Sequence, residues 1–456
     1  MAYQSINPYT NELLKTYPNA TDADLEEALA NGDKLYHQWR NESVASRAPY
    51  LKKIAELLRA EKVEFATIMT KEMGKLLTEA VGEVELCANI VDWYADNAAE
   101  LLKPTPLKTD AGKAYYAKQA TGIIFSVEPW NFPLYQVVRV FAPNFMVGNP
   151  MILKHASNVP GSADEFDKIV QKSGAPKGSF KNLFVTYDQV DKAIADPRVA
   201  GVALTGSERG GSSVASVAGK YLKKSSMELG GNDAFVVLDD ADFDLVKQVA
   251  TNARLYNAGQ VCTSSKRFIV MADLYDDFLK ALKAGFAAVK PGDPLDKNTT
   301  FAPMCMKSAK EDLEQQVKKG IAAGAKVYYE HPVDLPGQFF PPTILTDIAK
   351  DNPLYNEEMF GPVAVVYKAE TEEEAIAIAS DSSYGLGGSV FSSNPEHANQ
   401  VSEKIETGMS FINSGWMSLP ELPFGGIKNS GYGRELSHLG LFTFVNEHLV
   451  INSTIK

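Results

Sequence analysis

Gly122-Ile123-Ile124-Phe125-Ser126-Val127-Glu128-Pro129-Trp130-Asn131-Phe132-Pro133 is the stretch that decides the fold. Residues 123–127 are a short apolar run, the mark of a strand buried on both faces. Two prolines then bracket a Trp-Asn-Phe turn, and residues 134–147 repeat apolar side chains at helical spacing. The alternation continues: strand 150–154, helix 162–173, strand 183–185, helix 189–195, strand 199–204, a glycine-rich turn and helix 212–218. Strands and helices taking turns predict parallel βαβ units, hence an α/β chain with a doubly wound sheet that takes a nucleotide at its strand C-termini. After residues 226–228 the pattern restarts with strand 234–238, helix 243–256 and strand 267–271, and runs on to about residue 391. That predicts a second α/β domain.

Upstream, Thr21-Asp22-Ala23-Asp24 is a capping signature that opens a helix ending at Trp39. Helical periodicity resumes over 46–100 with a break near Met73-Gly74. Residues 1–20 read as a short strand with a turn at Asn7-Pro8. Pro104, Pro106 and Gly112 break residues 104–119 into a hairpin that leaves the domain body. Residues 441–455 alternate apolar and polar side chains and read as a final strand.

A chain of 456 residues exceeds one hydrophobic core, so two or three domains are expected. The formal net charge of −12 leaves no basic surplus to displace counterions from phosphates, which argues against a nucleic-acid partner. Neither a secretory leader nor a bilayer-length apolar run is seen, so a cytoplasmic protein without a membrane partner is expected. Cys87, Cys262 and Cys305 are odd in number and far apart, which predicts free thiols in a reducing compartment. Histidines 37, 155, 331, 397, 438 and 448 show no metal-ligand spacing, and no metal is expected.

Several residues can carry chemistry. Cys262, in Asn257-Ala258-Gly259-Gln260-Val261-Cys262-Thr263-Ser264-Ser265-Lys266-Arg267, lies on a loop between a helix and a strand, where a thiol can meet a substrate. Glu228, in Met227-Glu228-Leu229-Gly230-Gly231, sits in an apolar setting that raises a carboxyl pKa toward that of a general base. The Asn131 amide, stiffened by two prolines, can donate to an oxyanion. Thr205-Gly206-Ser207-Glu208-Arg209-Gly210-Gly211 joins a strand to a helix N-terminus, a place for phosphate or an ordinary tight turn. Lys154 ends a strand of the same sheet and can meet a ribose or a phosphate. An acid at the position of Ser157 would repel a 2′-phosphate, whereas a small neutral residue beside a lysine admits it.

These motifs, with Glu357-Glu358-Met359-Phe360-Gly361-Pro362 and Leu422-Pro423-Phe424-Gly425-Gly426-Ile427-Lys428…Ser430-Gly431, stand in an order that resembles the aldehyde dehydrogenase superfamily. The resemblance implies a Rossmann-like cofactor domain (1–101 and 122–228), an α/β catalytic domain (229–427) and a small β oligomerisation element (102–121 and 428–456). It implies Cys262 as nucleophile, Glu228 as the base for hydrolysis and Asn131 as oxyanion donor. Trp130, Lys154, Ser157, Gly206, Ser207, Gly211, Leu229, Glu358 and Phe360 become the expected cofactor residues. The short N-terminus, Val127-Glu128 and Lys154-His155-Ala156-Ser157-Asn158 resemble the short bacterial succinate-semialdehyde dehydrogenases. That implies NADP as preferred cofactor with NAD an alternative, succinate semialdehyde as substrate, and a homodimer or homotetramer. Arg139, two helical turns beyond Asn131, is the expected partner of a distal carboxylate, helped by Ser418. A broad dehydrogenase of small or ω-carboxylic aldehydes, and an inactive relative kept as a binding protein, are the competing readings.

Overall fold

The computed structural model describes residues 3–453. Its centre is a six-stranded sheet ordered Gly431–Tyr432, Lys224–Glu228, Val199–Thr205, Ile123–Glu128, Met151–His155 and Phe180–Asn182. The last five strands are mutually parallel; Gly431–Tyr432 joins antiparallel against Met227 and Glu228. Ile123–Glu128 is the buried strand that its composition predicts, and the helix after it, Tyr135–Val147, is buried along its whole length. Register brings Glu128 beside His155 and Thr205 beside Glu228. The residues that follow these strands (129–131, 156–157, 206–207 and 229–230) therefore emerge along one sheet edge, where doubly wound sheets bind ligands.

A second sheet runs Lys326–Glu330, Thr343–Thr346, Val363–Ala369, Arg267–Met271, Ala234–Val237, Gly388–Phe391 and Phe411–Ile412, parallel apart from its first strand. The Cys262 loop, residues 358–360 and Gly230-Gly231 all precede strands of this sheet. The C-terminal edge of one sheet thus faces the N-terminal edge of the other, and the motifs singled out in the sequence collect between them. A third, three-stranded sheet joins Val445–Ser453, Gly112–Ala120 and Thr105–Leu107.

Three elements differ from the sequence reading. The strand expected over 183–185 lies at Phe180–Asn182. Residues 183–185 give their hydrogen bonds away: the Leu183 amide donates to Leu153, the Phe184 carbonyl accepts from Ala20, and the Val185 carbonyl accepts from the Tyr3 hydroxyl. The tail begins as a helix, Ser437–Phe442, and becomes a strand only at Val445. The helical turn delivers Leu441 to the core, and the Tyr94 hydroxyl bonds the Ser437 carbonyl. Residues 454–456, at the end of the expected tail strand, lie outside the described residues. The opening segment is a hairpin, Tyr3–Ile6 with Leu13–Tyr17, rather than a single strand.

Thr21 forms the expected capping box: its hydroxyl accepts from the Asp24 amide and Asp24 returns the bond to the Thr21 amide at 2.7 Å. Replacing Thr21 by Ala removes one reciprocal cap from helix Asp22–Trp39, and urea unfolding should show a loss of about 1 kcal/mol. No change would mean that the helix start is held by packing alone.

Candidate active site

The nucleophile loop follows the helix Phe243–Leu255. Asn257, Ala258 and Gly259 adopt successive left-handed conformations with φ of 52°, 53° and 74°. Two non-glycine residues in that region are strained and persist only where their surroundings fix them. Gly259 has no substitute there, because a Cβ would strike the Gly361 carbonyl. The fixing group is Arg254, fully buried. Its Nε donates to the Val363 carbonyl at 2.6 Å. Nη1 donates to Ser264 Oγ at 2.6 Å and to the Gly259 carbonyl at 3.3 Å. Nη2 donates to the Met359 carbonyl at 2.7 Å and to the Gly361 carbonyl. One guanidinium therefore stitches the loop before Cys262 to the segment that carries Glu358 and Phe360.

Cys262 sits where two cavities meet. One, of about 240 Å³, is lined by Trp130, Asn131, Thr205, Gly206, Ser207, Leu229, Glu358 and Phe360 together with Cys262. The other, about 70 Å³, reaches Cys262 past Phe132, Tyr135, Arg139, Trp416, Ser418 and Phe424. A roomier groove of about 670 Å³ beside Phe180–Asn182 contains no nucleophile. Burial pushes the Cys262 thiol up to about 12, while Arg139 and Lys266 pull it down and Glu358 and Asp233 oppose them. Half-buried, the thiol faces both cavities. Asn131, buried beside it, donates one amide hydrogen to the Gln260 carbonyl at 3.0 Å, and its second hydrogen remains available.

In the larger cavity Trp130 and Phe360 meet edge to face at 5.7 Å. Ser207 caps the helix Glu208–Lys220, its Oγ accepting from the Gly210 amide. Gly211 is buried where a Cβ would overlap Leu229. The Glu358 Oε1 accepts from the Gly231 amide at 3.1 Å and meets Lys266 Nζ at the same distance. Lys154 is 7% exposed, and burial alone lowers its pKa to about 8. Its ammonium has no carboxylate partner among the described residues and lies 5.8 Å from the Tyr187 ring. Ser157 is half-buried just past the end of the same strand.

Glu228 ends its strand 2% exposed, and neither carboxylate oxygen has a hydrogen-bond partner. Burial first, then Glu435 and Glu128, raises its pKa well above the ordinary carboxyl value against the pull of Arg139 and Arg434. The space for it comes from Gly425 (φ +147°), where a Cβ would lie 2.6 Å from Glu228 Oε1. Arg139 lines the smaller cavity as expected of a residue on that helix face. It is also the hub of this acidic cluster: Nε meets Glu435 Oε2 at 2.7 Å, and Nη2 reaches Thr205 Oγ1 at 3.4 Å. Its guanidinium is held between the Tyr135 and Phe424 rings at 4.6 and 4.3 Å. Ser418 Oγ lies 2.5 Å from Tyr135 Oη. Tyr135, Glu435, Trp416 and Lys266 are site residues that the sequence reading missed. Glu435 alone carried a local signal, as it lies five residues past Ser430.

Residues 1–450 match the aldehyde dehydrogenase family. The chain belongs to that family. It is 44% identical over 453 residues to a succinate-semialdehyde dehydrogenase [NADP(+)] of Deinococcus radiodurans, covering 98% of this chain and 94% of that one. A protein of the same description from Mycobacterium avium is 43% identical over 455 residues, covering 99% and 96%. Among solved structures, the succinic semialdehyde dehydrogenase of Streptococcus pyogenes in complex with NADP⁺ superposes with a TM-score of 0.98 at 58% identity, over 99% of this chain and 100% of that one. Among the described residues no group of three or more His, Cys, Asp or Glu is placed to hold a metal, and no helix is long and apolar enough to cross a membrane.

The unpaired carboxyl of Glu228 makes this aldehyde dehydrogenase sensitive to alkali. A folded-state pKa above the unfolded value of about 4.3 means that the folded chain keeps a proton the unfolded chain releases, so stability falls as pH rises through that window. Glu228→Gln removes the loss. The variant should melt above wild type at pH 8, with the gap closing toward pH 5. A lower melting temperature at both pH values would show that the ionised carboxylate is supported in the fold.

Proposed function

We propose that this aldehyde dehydrogenase oxidises succinate semialdehyde to succinate with NADP in preference to NAD. The observation that carries the reading is the position of Cys262 between a cleft at the edge of the sheet whose strand Met151–His155 carries the unneutralised buried Lys154, and a funnel with a buried arginine and two hydroxyls. Lys154 fits a 2′-phosphate because it is a desolvated cation without a counter-charge, and Ser157 leaves the phosphate unopposed. Ser207 and the helix N-terminus behind it suit the pyrophosphate. Trp130, Gly206, Gly211, Leu229 and Phe360 shape the cleft, and Glu358 faces a ribose. The activity for which the Deinococcus, Mycobacterium and Streptococcus relatives are named supports the same substrate and cofactor.

On this reading Cys262 Sγ attacks the aldehyde carbon, forming a C–S bond and placing the carbonyl electron pair on oxygen. The Asn131 amide and the Cys262 main-chain N–H receive that oxyanion. NADP, when bound, supplies the two-electron acceptor that takes the resulting thiohemiacetal to a thioester. Glu228 then removes a proton from water as its oxygen adds to the thioester carbon, and the C–S bond breaks to release the acid and the thiol. Arg139, with Ser418 and Tyr135 beside it, holds the distal carboxylate. Burial raises the carboxyl pKa of Glu435 against the pull of Arg139, which weakens its hold on the guanidinium and favours exchange for the substrate carboxylate.

The same reading divides the chain into 1–101 with 122–228 around the cofactor sheet and 229–427 around the catalytic sheet. Residues 102–121 and 428–456 then make a homodimer or homotetramer. In support, the exposed Leu107 and Ile451 flank the buried Ala114 on one face of the three-stranded sheet, and the exposed Leu449 lies two residues from Ile451. Gly431–Tyr432 has a second use, since it pairs into the cofactor sheet. Three free cysteines agree with a cytoplasmic location.

Phe132, Trp416 and Phe424 line the funnel too, and their apolar surfaces favour a second reading, a broad dehydrogenase of small aldehydes. Initial rates with succinate semialdehyde and propanal, each with NADP and NAD, separate the two. Succinate semialdehyde with NADP should be preferred. Arg139→Lys, which keeps the charge beside Glu435 but loses the planar fork, should raise KM for succinate semialdehyde about tenfold and leave propanal nearly unchanged. Comparable rates on both aldehydes select the broad reading, and no NADPH with either would make the chain an inactive relative.

A further inference from the structure

Behind the nucleophile lies a lysine that the steps above leave unused. Lys266 is 0% exposed and stands immediately before strand Arg267–Met271. Its ammonium lies 2.7 Å from the Cys262 carbonyl, 2.9 Å from the Val261 carbonyl, 3.4 Å from the Ser264 carbonyl and 3.1 Å from Glu358 Oε1. An ammonium carries three hydrogens, so four acceptors compete for three bonds. Burying such a charge is costly unless it is paired and bonded, which makes the choice of partners informative. Three acceptors belong to the turn that carries the nucleophile. The fourth belongs to a carboxylate on the wall of the cofactor cleft.

The Val261 carbonyl and the Cys262 N–H are the two ends of one planar peptide. That N–H is the main-chain oxyanion donor in the reading above. A cation on the carbonyl oxygen fixes the plane and draws electron density toward the oxygen, which makes the N–H a stronger donor. Glu358, for its part, sits where Gly230 has no side chain: a Cβ there would overlap Glu358 Oε2. Its Oε1 also accepts from the Gly231 amide at 3.1 Å and Glu358 lines the cleft, so a turn from Lys266 toward the cleft exchanges those contacts for one with the cofactor. When Glu358 turns, three hydrogens face three carbonyls and none is left unpaired.

We propose that Lys266 is a positioning residue that couples cofactor docking to the nucleophile, by gripping the Val261–Cys262 peptide while sharing one N–H with Glu358. Capture of Glu358 by a ribose hydroxyl returns that N–H to the turn, so the oxyanion donor is tightest when the cofactor is seated. The proposal rests on the assignments of Cys262 and Glu358 made above.

The test uses full-length Lys266→Met and Lys266→Gln. The first readout is the pH profile of Cys262 alkylation by iodoacetamide without substrate, with Cys262→Ala as blank. The charged groups facing that thiol are Arg139, Lys266, Glu358 and Asp233, so removing one cation should move the profile to higher pH in both variants. The second readout is steady-state kinetics. Lys266→Met should lower kcat about tenfold or more and raise KM for NADP, with the aldehyde KM little changed. Lys266→Gln, which keeps donor hydrogens without the charge, should recover part of kcat but not the alkylation profile. The double variant Lys266→Met/Glu358→Gln should have a KM for NADP no worse than Glu358→Gln alone. An unshifted alkylation profile, or NADP losses that multiply in the double variant, overturns the proposal. Should Lys266→Met fail to fold, Lys266→Gln carries the same comparison. Wild type inactive on succinate semialdehyde would defeat the proposed function alone, because alkylation and NADP affinity still report on Lys266.

Discussion

Two buried cations spend their hydrogens on main-chain carbonyls around Cys262, and the geometry of the site depends on them. A loop with consecutive left-handed residues cannot hold itself. Arg254 binds it to residues 359–363 and Lys266 binds its far side to itself and to Glu358. Carbonyls are the only abundant acceptors at a loop between two sheets, and charged donors form stronger bonds to them than neutral ones. Deleting either cation would take a charged donor from several buried carbonyls as well as relaxing the strained turn. The strain and the cations thus belong to one arrangement: a thiol presented at a fixed point between two cavities.

Charge is distributed on opposite principles in the two cavities. On the cofactor sheet, Lys154 is a buried cation without a carboxylate partner among the described residues, and its electrostatic free energy improves when an anion arrives. The funnel side gathers Glu128, Glu228 and Glu435 around Arg139. Three carboxyls crowd one guanidinium away from water, which raises the pKa of each. In the proposed mechanism Glu228 acts on water only after Cys262 has reacted, so the two steps fall to separate groups. Stability is given up at high pH so that the group is available for chemistry.

Much of this was legible before any coordinates. Hydrophobic runs such as 123–127 and 267–271 need no tertiary information, because a strand buried on both faces must be apolar throughout. Thr21 and Asp24 signal their cap within four residues. Cys262, Asn131 and the cleft residues were found through motif order, and the structure brings Cys262, Asn131, Trp130, Glu358 and Phe360 to shared walls. What escaped depends on distant chain segments. Arg139 and Glu435 are far apart in sequence, and nothing local tells an arginine meant for a substrate from one already paired. Lys266 carried no reading of its own within the Cys262 stretch, since the carbonyls that surround it exist only once the turn is made. Residues 183–185 and 441–442 were misplaced for a similar reason: a pattern of apolar residues reports burial, whereas strand or helix is decided by which neighbour takes the backbone bonds.

The central claim is that Cys262 carries the substrate as a covalent thioester that Glu228 clears. Glu228→Gln mixed with succinate semialdehyde and NADP, quenched in acid and analysed by intact mass and peptide mapping, tests it most directly. The account predicts one NADPH formed per active site and a succinyl group on Cys262 that persists on the time scale of many wild-type turnovers. NADPH formed without any adduct, or an adduct on a residue other than Cys262, would contradict it.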